Sequence, residues 1–176
     1  MAATLRLLGE QRASSITVEA IAREAGHSRS LVYRHFGDKQ TLVGFAIFGE
    51  LGRWAEIVRT APDPVAGFVG AYEHLLANPA ITRASIFSEA PLARAPSYPV
   101  AEAHAAALEA WGVEAPLARH AAAVTMALYT AWAATEHFWV GAGDFADLDA
   151  QQAYGREAIA STIEALTGVT GRTNAG

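Results

Sequence analysis

The sequence predicts an all-α fold of about nine helices: an N-terminal three-helix domain over residues 1–43, containing a helix-turn-helix, and a larger helical domain over residues 44–176. Three observations predict it. Apolar residues recur at three- and four-residue intervals along nearly the whole chain, and no alternating strand pattern persists. Two short helical patterns meet at a tight glycine turn, Ala25-Gly26-His27. Proline and glycine punctuate the remainder and leave segments of ordinary helix length between them.

The first helix runs from about Ala2 to Gln11 and should bury Leu5 and Leu8. Thr17 is a good N-cap for a second, with Val18, Ile21, Ala22 and Ala25 facing inward. Ala22 is small where a crossing helix must come close. Gly26 suits a turn that needs a left-handed backbone. Ser28 caps a third helix, Arg29 to His35, anchored by Leu31, Val32 and Phe36. Asp38 caps a long fourth helix that carries Leu42, Phe45, Ile47, Phe48, Leu51, Trp54 and Val58 and connects the two domains. Ala61-Pro62-Asp63-Pro64 ends it, because proline lacks a donor and disfavours helix just before itself. Val65 to Ala77 forms a fifth helix. A short sixth starts at Asn78-Pro79 and carries Ile81, Ile86 and Phe87, and Pro91 to Pro99 reads as a loop. A seventh covers Val100 to Trp111 and stops at Gly112. Pro116 opens an eighth that reaches about Val140, and a ninth spans about Leu148 to Leu166 and ends at Gly168.

Two short helices around such a turn form a helix-turn-helix, whose second helix can lie in the major groove of DNA. The run S-R-S-L-V-Y-R-H-F-G-D-K, Ser28 to Lys39, resembles the recognition helix and following segment of the tetracycline-repressor (TetR) family. The resemblance extends upstream through T-V-E-A-I-A-R-E-A-G and, more weakly, to Ala3 to Gln11. Its Tyr-x-His-Phe-x-x-Lys portion joins DNA-facing and core-facing positions at fixed spacing. Three positions depart from the pattern. His27 stands where the family usually has an apolar residue, and Arg12 where a glycine often ends the first helix. The first helix also starts early, without the turn or two that usually precede it, so an arm able to touch DNA is expected to be absent, or lost through a late start codon.

The resemblance implies roles that agree with side-chain chemistry. Arg29 can donate two hydrogen bonds to guanine O6 and N7. Ser30 is small enough to let the helix approach the bases, and Leu31 can meet a thymine methyl. Tyr33 and His35 can donate to phosphate oxygens, Arg34 adds positive charge, and Lys39 supplies a charge-assisted phosphate contact. Thr17 and Ser28 offer hydroxyls and helix N-terminal amides to phosphates. Without the motif, Arg29 would read as a surface charge, Tyr33 as core and Leu31 as packing. His27 reads as a turn residue rather than a pH sensor.

Composition bounds the rest. The net charge of −5 hides an asymmetry. Residues 1–60 carry eight Lys/Arg against six Asp/Glu, and residues 61–176 carry five against twelve. A small basic surface on an acidic body fits a protein held on DNA by one domain. The absence of cysteine excludes disulfides, zinc fingers and thiol chemistry. The chain shows no His-x-x-x-His pair, glycine-rich phosphate loop or nucleophile elbow, so no enzyme, metal or cofactor is expected. With no signal peptide and no membrane span in the sequence, the cytoplasm is the expected compartment.

One helix-turn-helix covers few base pairs, so such proteins dimerise on a pseudo-palindrome. The resemblance places the dimer surface on the last two helices, with Ala123, Ala127, Ala131 and Ala134 on one and Ile159, Thr162, Ile163 and Leu166 on the other. The same residues would also serve as an internal core. A ligand pocket would be walled by Phe68, Tyr72, Phe87, Leu108, Trp111, Met126, Tyr129 and Trp132, with His104, Thr125 and His137 among its polar groups. Such a lining suits a small hydrophobic or aromatic molecule, although an aromatic stripe at helical spacing also reads as plain core. The resemblance thus implies a dimeric regulator, a repressor on double-stranded DNA released by a small, mostly apolar effector. The alternative is a ligand-binding or protein-interaction module that has lost specific DNA binding.

Overall fold

The computed structural model describes residues 1–11, 14–78, 99–141, 143 and 145–171, with backbone alone for 134 and 136–141. The described residues form eight helices and no strand: α1 (Ala2–Glu10), α2 (Val18–Glu24), α3 (Arg29–Phe36), α4 (Lys39–Thr60), α5 (Pro64–Ala77), α6 (Pro99–Ala110), α7 (Ala115–Gly141) and α8 (Leu148–Thr167). The short helix and loop expected between 79 and 98 lie outside the described residues, as do the side chains of Phe87, Ala134 and His137. The chain divides into two compact units, and the division falls within α4, between Leu51 and Gly52.

Local chemistry sets most helix ends in the first unit. Thr17 Oγ1 accepts from the Ala20 N–H at 3.1 Å, and Ser28 Oγ accepts from the Leu31 N–H at 3.3 Å. Asp38 Oδ1 accepts from the Thr41 N–H at 2.7 Å. These are the side-chain caps expected from sequence. The turn between α2 and α3 is a Schellman closure. Gly26 takes φ +68°, its N–H donates to Arg23 O, and the His27 N–H reaches back to Ala22 O at 2.9 Å. His27 therefore serves the turn through its backbone, and its side chain is exposed rather than wedged between the helices.

The core of this unit is small. In α1 the buried stripe is Ala3, Thr4, Leu7 and Leu8. Leu7 replaces the expected Leu5, which is only half-buried, because three- and four-residue spacing from Ala3 and Thr4 passes it by. Val18, Ile21 and Ala22 of α2 and Val32 of α3 are also buried. Leu42, Val43, Ala46 and Ile47 of α4 repeat at the same spacing. Phe45 falls off that stripe and is 58 % exposed, with one tilted ring contact to Phe36 at 6.2 Å.

The second unit is built around α7, which packs against both α6 and α8. Asp63 caps α5 by accepting from the Ala66 N–H at 2.8 Å, and Pro64 occupies the first helical position, where its missing donor costs nothing. Asp147 caps α8 through the Ala150 N–H at 2.8 Å, and Gly168, at φ +73°, ends it. Inside α8, Gly155 is required by packing. A Cβ there would lie 2.5 Å from Tyr72 Oη and 2.9 Å from Trp132 Nε1. The glycine lets rings from α5 and α7 rest directly on the α8 backbone.

Candidate functional site

The outer face of α2 and α3 gathers the residues expected to meet DNA. Thr17, Ser28, Arg29, Ser30, Tyr33, Arg34 and His35 are all exposed, while Leu31 and Lys39 are half-buried. Tyr33 is therefore a surface residue and not core, at 39 % exposed. Ser30 Oγ lies 3.2 Å from Ser28 Oγ. The Lys39 ammonium donates to the Ser14 carbonyl at 3.3 Å, which ties the start of α4 to the segment before α2. Exposed hydroxyls and cations around two helix N-termini form a surface that suits phosphate oxygens.

Two features of this face were not legible as a pattern. Arg29 Nη1 forms an ion pair with Glu19 Oε1 at 2.7 Å, and the Arg29 guanidinium lies 5.3 Å from the centre of the Tyr33 ring. The sequence signal for the pair is that Glu19 sits in the first turn of α2 while Arg29 opens α3. At the start of α4, the Thr41 backbone N–H, and then its side-chain hydroxyl, hold the Asp38 carboxyl below its usual range. The cap therefore stays ionised at neutral pH, beside the helix N-terminus.

The second unit encloses an aromatic cluster. Phe68 and His104 stack with ring centres 3.8 Å apart and planes within 7°. His104 Nε2 and Tyr129 Oη share a hydrogen bond at 3.0 Å. Trp54 tilts against Tyr129 with centres 5.7 Å apart. Phe68, Tyr72, His104, Leu108 and Tyr129 are all fully buried. Burial pushes the His104 imidazole down to about 3, so it is neutral at physiological pH. Among the described residues its second nitrogen, Nδ1, has no hydrogen-bond partner, and neither do Trp54 Nε1, Thr125 Oγ1 or the Gln151 amide. Of these four residues, Trp54 and Gln151 were not expected as polar members of the site.

Several expected residues stand elsewhere. Trp111 does not join the cluster. It follows the end of α6, is 42 % exposed, and sits with Val58, Pro64 and Ala107 on a groove of about 270 Å³. Met126 is half-buried. Trp132 is half-buried too and stacks on Tyr154 at 5.6 Å with Phe145 beside it. Of the helix faces expected to meet a second copy, Ala123, Ala127 and Ala131 are exposed on α7, and Thr162 and Leu166 are half-buried on α8. Ile159 and Ile163 require a correction: both are fully buried within the unit, because α8 turns that stripe inward, and so they are core of the single chain. Among the described residues no helix is long and apolar enough to cross a membrane, and no cluster of His, Asp and Glu could hold a metal ion.

Residues 1–44 match the family model described as bacterial regulatory proteins, tetR family. No curated protein matches the chain. Among solved structures, the chain is similar to the TetR family repressor AlkX from Dietzia sp. strain DQ12-45-1b, a protein described as implicated in biodegradation of n-alkanes. The likeness has a TM-score of 0.53 at 21 % identity and covers 94 % of this chain and 96 % of that one. At that identity it speaks for the fold, which the two share over nearly their whole lengths.

Proposed function

We propose that this chain, whose first 44 residues are a DNA-binding domain of the bacterial regulatory proteins of the tetR family, is a ligand-responsive transcriptional repressor that binds a pseudo-palindromic operator as a homodimer in the cytoplasm. The observation that carries this reading is the exposed cluster on α2 and α3, with Arg29 at the start of the second helix of a helix-turn-helix. In that position Arg29 reads a guanine edge, with Ser30 and Leu31 beside it against the bases. Thr17, Ser28, Tyr33, Arg34, His35 and Lys39 hold the phosphates.

Two copies would pair through α7 and α8. The exposed, four-spaced Ala123, Ala127 and Ala131 permit close helix approach, and Thr162 and Leu166 lie on the accessible side of α8. The effector would be small and mostly apolar and would enter the cluster of Phe68, Tyr72, His104, Leu108 and Tyr129, with Met126 and Trp132 at its edge. Neutral His104 and Thr125 would give it polar partners. The signal would travel through α4, which starts on the Asp38 cap and carries Trp54 into the second unit. A ligand that loosens the protein from DNA must itself bind the DNA-bound form more weakly by the same factor.

The test is selection of bound DNA from a random pool, followed by titration of the selected site in 50 and 200 mM salt. A dimer making 6–10 phosphate contacts loses about 10³–10⁵ in affinity across that range. If no duplex is retained even at the lower salt, the chain is instead a ligand-binding or interaction module without DNA binding.

A further inference from the structure

We propose that Glu19 is a positioning residue that sets base specificity: it holds Arg29 in one pose and leaves a single edge of the guanidinium to read a base. The proposal rests on the DNA-binding reading above. Arg29 is fixed from two sides. Its Nη1 forms an ion pair with Glu19 Oε1 at 2.7 Å, and the Tyr33 ring, one helical turn along α3, lies against the guanidinium at 5.3 Å. With side chains 61 % and 50 % exposed, Arg29 and Glu19 form a pair that contributes little to folding. Its consequence comes from its location.

Arg29 is the first residue of α3, the end from which a recognition helix reaches base edges. A guanidinium carries five N–H donors in a planar fork. With Nη1 committed to Glu19, the Nε and Nη2 edge remains, and that edge matches the O6 and N7 acceptors of guanine. A guanidinium held in this way does not swing to a phosphate, the acceptor that every duplex offers regardless of sequence. The Glu19 carboxylate also repels a phosphate brought close to it. One contact therefore strengthens base discrimination and weakens sequence-independent binding.

The experiment uses the full chain and the variants Glu19→Gln, Glu19→Ala, Arg29→Ala and the double variant Glu19→Gln/Arg29→Ala, each checked for helicity and melting temperature. Bound duplexes are selected from a random pool. The best site, single-base variants of it and an unrelated duplex are then titrated. With Glu19→Gln, discrimination at one G·C position should fall about tenfold while other positions hold, and affinity for the unrelated duplex should rise several-fold. Arg29→Ala should erase the preference at that same position, and the double variant should change it no further. A purely structural role for Glu19 would lower affinity for all duplexes alike and move no single base preference. If both Glu19 variants keep the parent's preferences while Arg29→Ala loses one, the proposal is overturned and the reading of Arg29 stands. If Arg29→Ala keeps the parent's preferences, or no DNA is selected, the proposal falls together with the reading it rests on.

Discussion

The N-terminal unit carries its polar chemistry outside a small apolar core, whereas the larger unit carries it inside. On α2 and α3 the hydroxyls of Thr17 and Ser28, the guanidinium of Arg29 and the phenol of Tyr33 all face solvent. In the second unit the imidazole of His104, the hydroxyl of Thr125 and the indole N–H of Trp54 are all sealed from it. The difference separates two kinds of recognition. An exposed, cationic, hydroxyl-bearing face suits a large anionic polymer that brings its own water and counterions. A sealed aromatic cluster keeps its polar groups from water, and only there does one hydrogen bond weigh heavily.

The sharpest way to break this contrast is by pH. In the unfolded chain His104 titrates near 6.5, and in the fold burial pushes it down to about 3. Between those values the unfolded chain binds a proton that the folded chain does not. Stability from this residue is therefore complete above about pH 6.5 and declines as pH falls toward 3, at about 1.4 kcal/mol per pH unit. Phe68 stacks on His104, and Tyr129 meets it edge-on. Urea unfolding of the parent and of His104→Leu at pH 7 and pH 4.5 should show the variant losing about 3 kcal/mol less than the parent over the interval. Equal losses would place His104 in contact with water.

Packing gives the next largest effect. Alanine at Gly155 sets a methyl 2.5 Å from Tyr72 Oη, an overpacking cost of about 1–3 kcal/mol that exceeds the helix-propensity gain of up to about 1 kcal/mol. The melting temperature should fall. Gly52→Ala, with nothing within 4 Å of its added Cβ, should raise stability by about 0.5–1 kcal/mol.

On the outer face the pattern reverses. Arg29→Ala should cost about 1–3 kcal/mol on the selected operator and leave thermal unfolding nearly unchanged. A drop in melting temperature as large as that of Gly155→Ala would mean that the outward face is also structural. Thr17→Ala should cost about 1 kcal/mol of stability through the lost cap, together with a modest loss of affinity for every duplex. Circular dichroism melting and titration of an unrelated duplex would read both effects.

Legibility follows the same division. Caps at Thr17, Ser28 and Asp38, the glycine turn at Gly26 and the breaks at Pro64 and Gly168 act within a few residues, so the chain order alone displays them. The exposed face of α3 was readable because its outward and core-facing residues alternate along one short helix. What failed was the choice between neighbouring apolar stripes: Leu5 against Leu7, and Ile159 and Ile163 as partner surface against core. A rotation of about 100° per residue separates core from surface, and both candidates in each case are apolar, so periodicity cannot rank them.

The sequence by itself determined the all-helical class, the helix ends, the helix-turn-helix and the basic face, because each depends on bonds between near neighbours or on residue type. The tertiary structure alone decided that His104 stacks on Phe68 and pairs with Tyr129, that Gly155 must have no side chain, and that Glu19 pairs with Arg29. Those pairs are separated by 10 to 83 residues in the chain. Their meeting depends on how helices cross, a property of summed packing that no local spacing encodes.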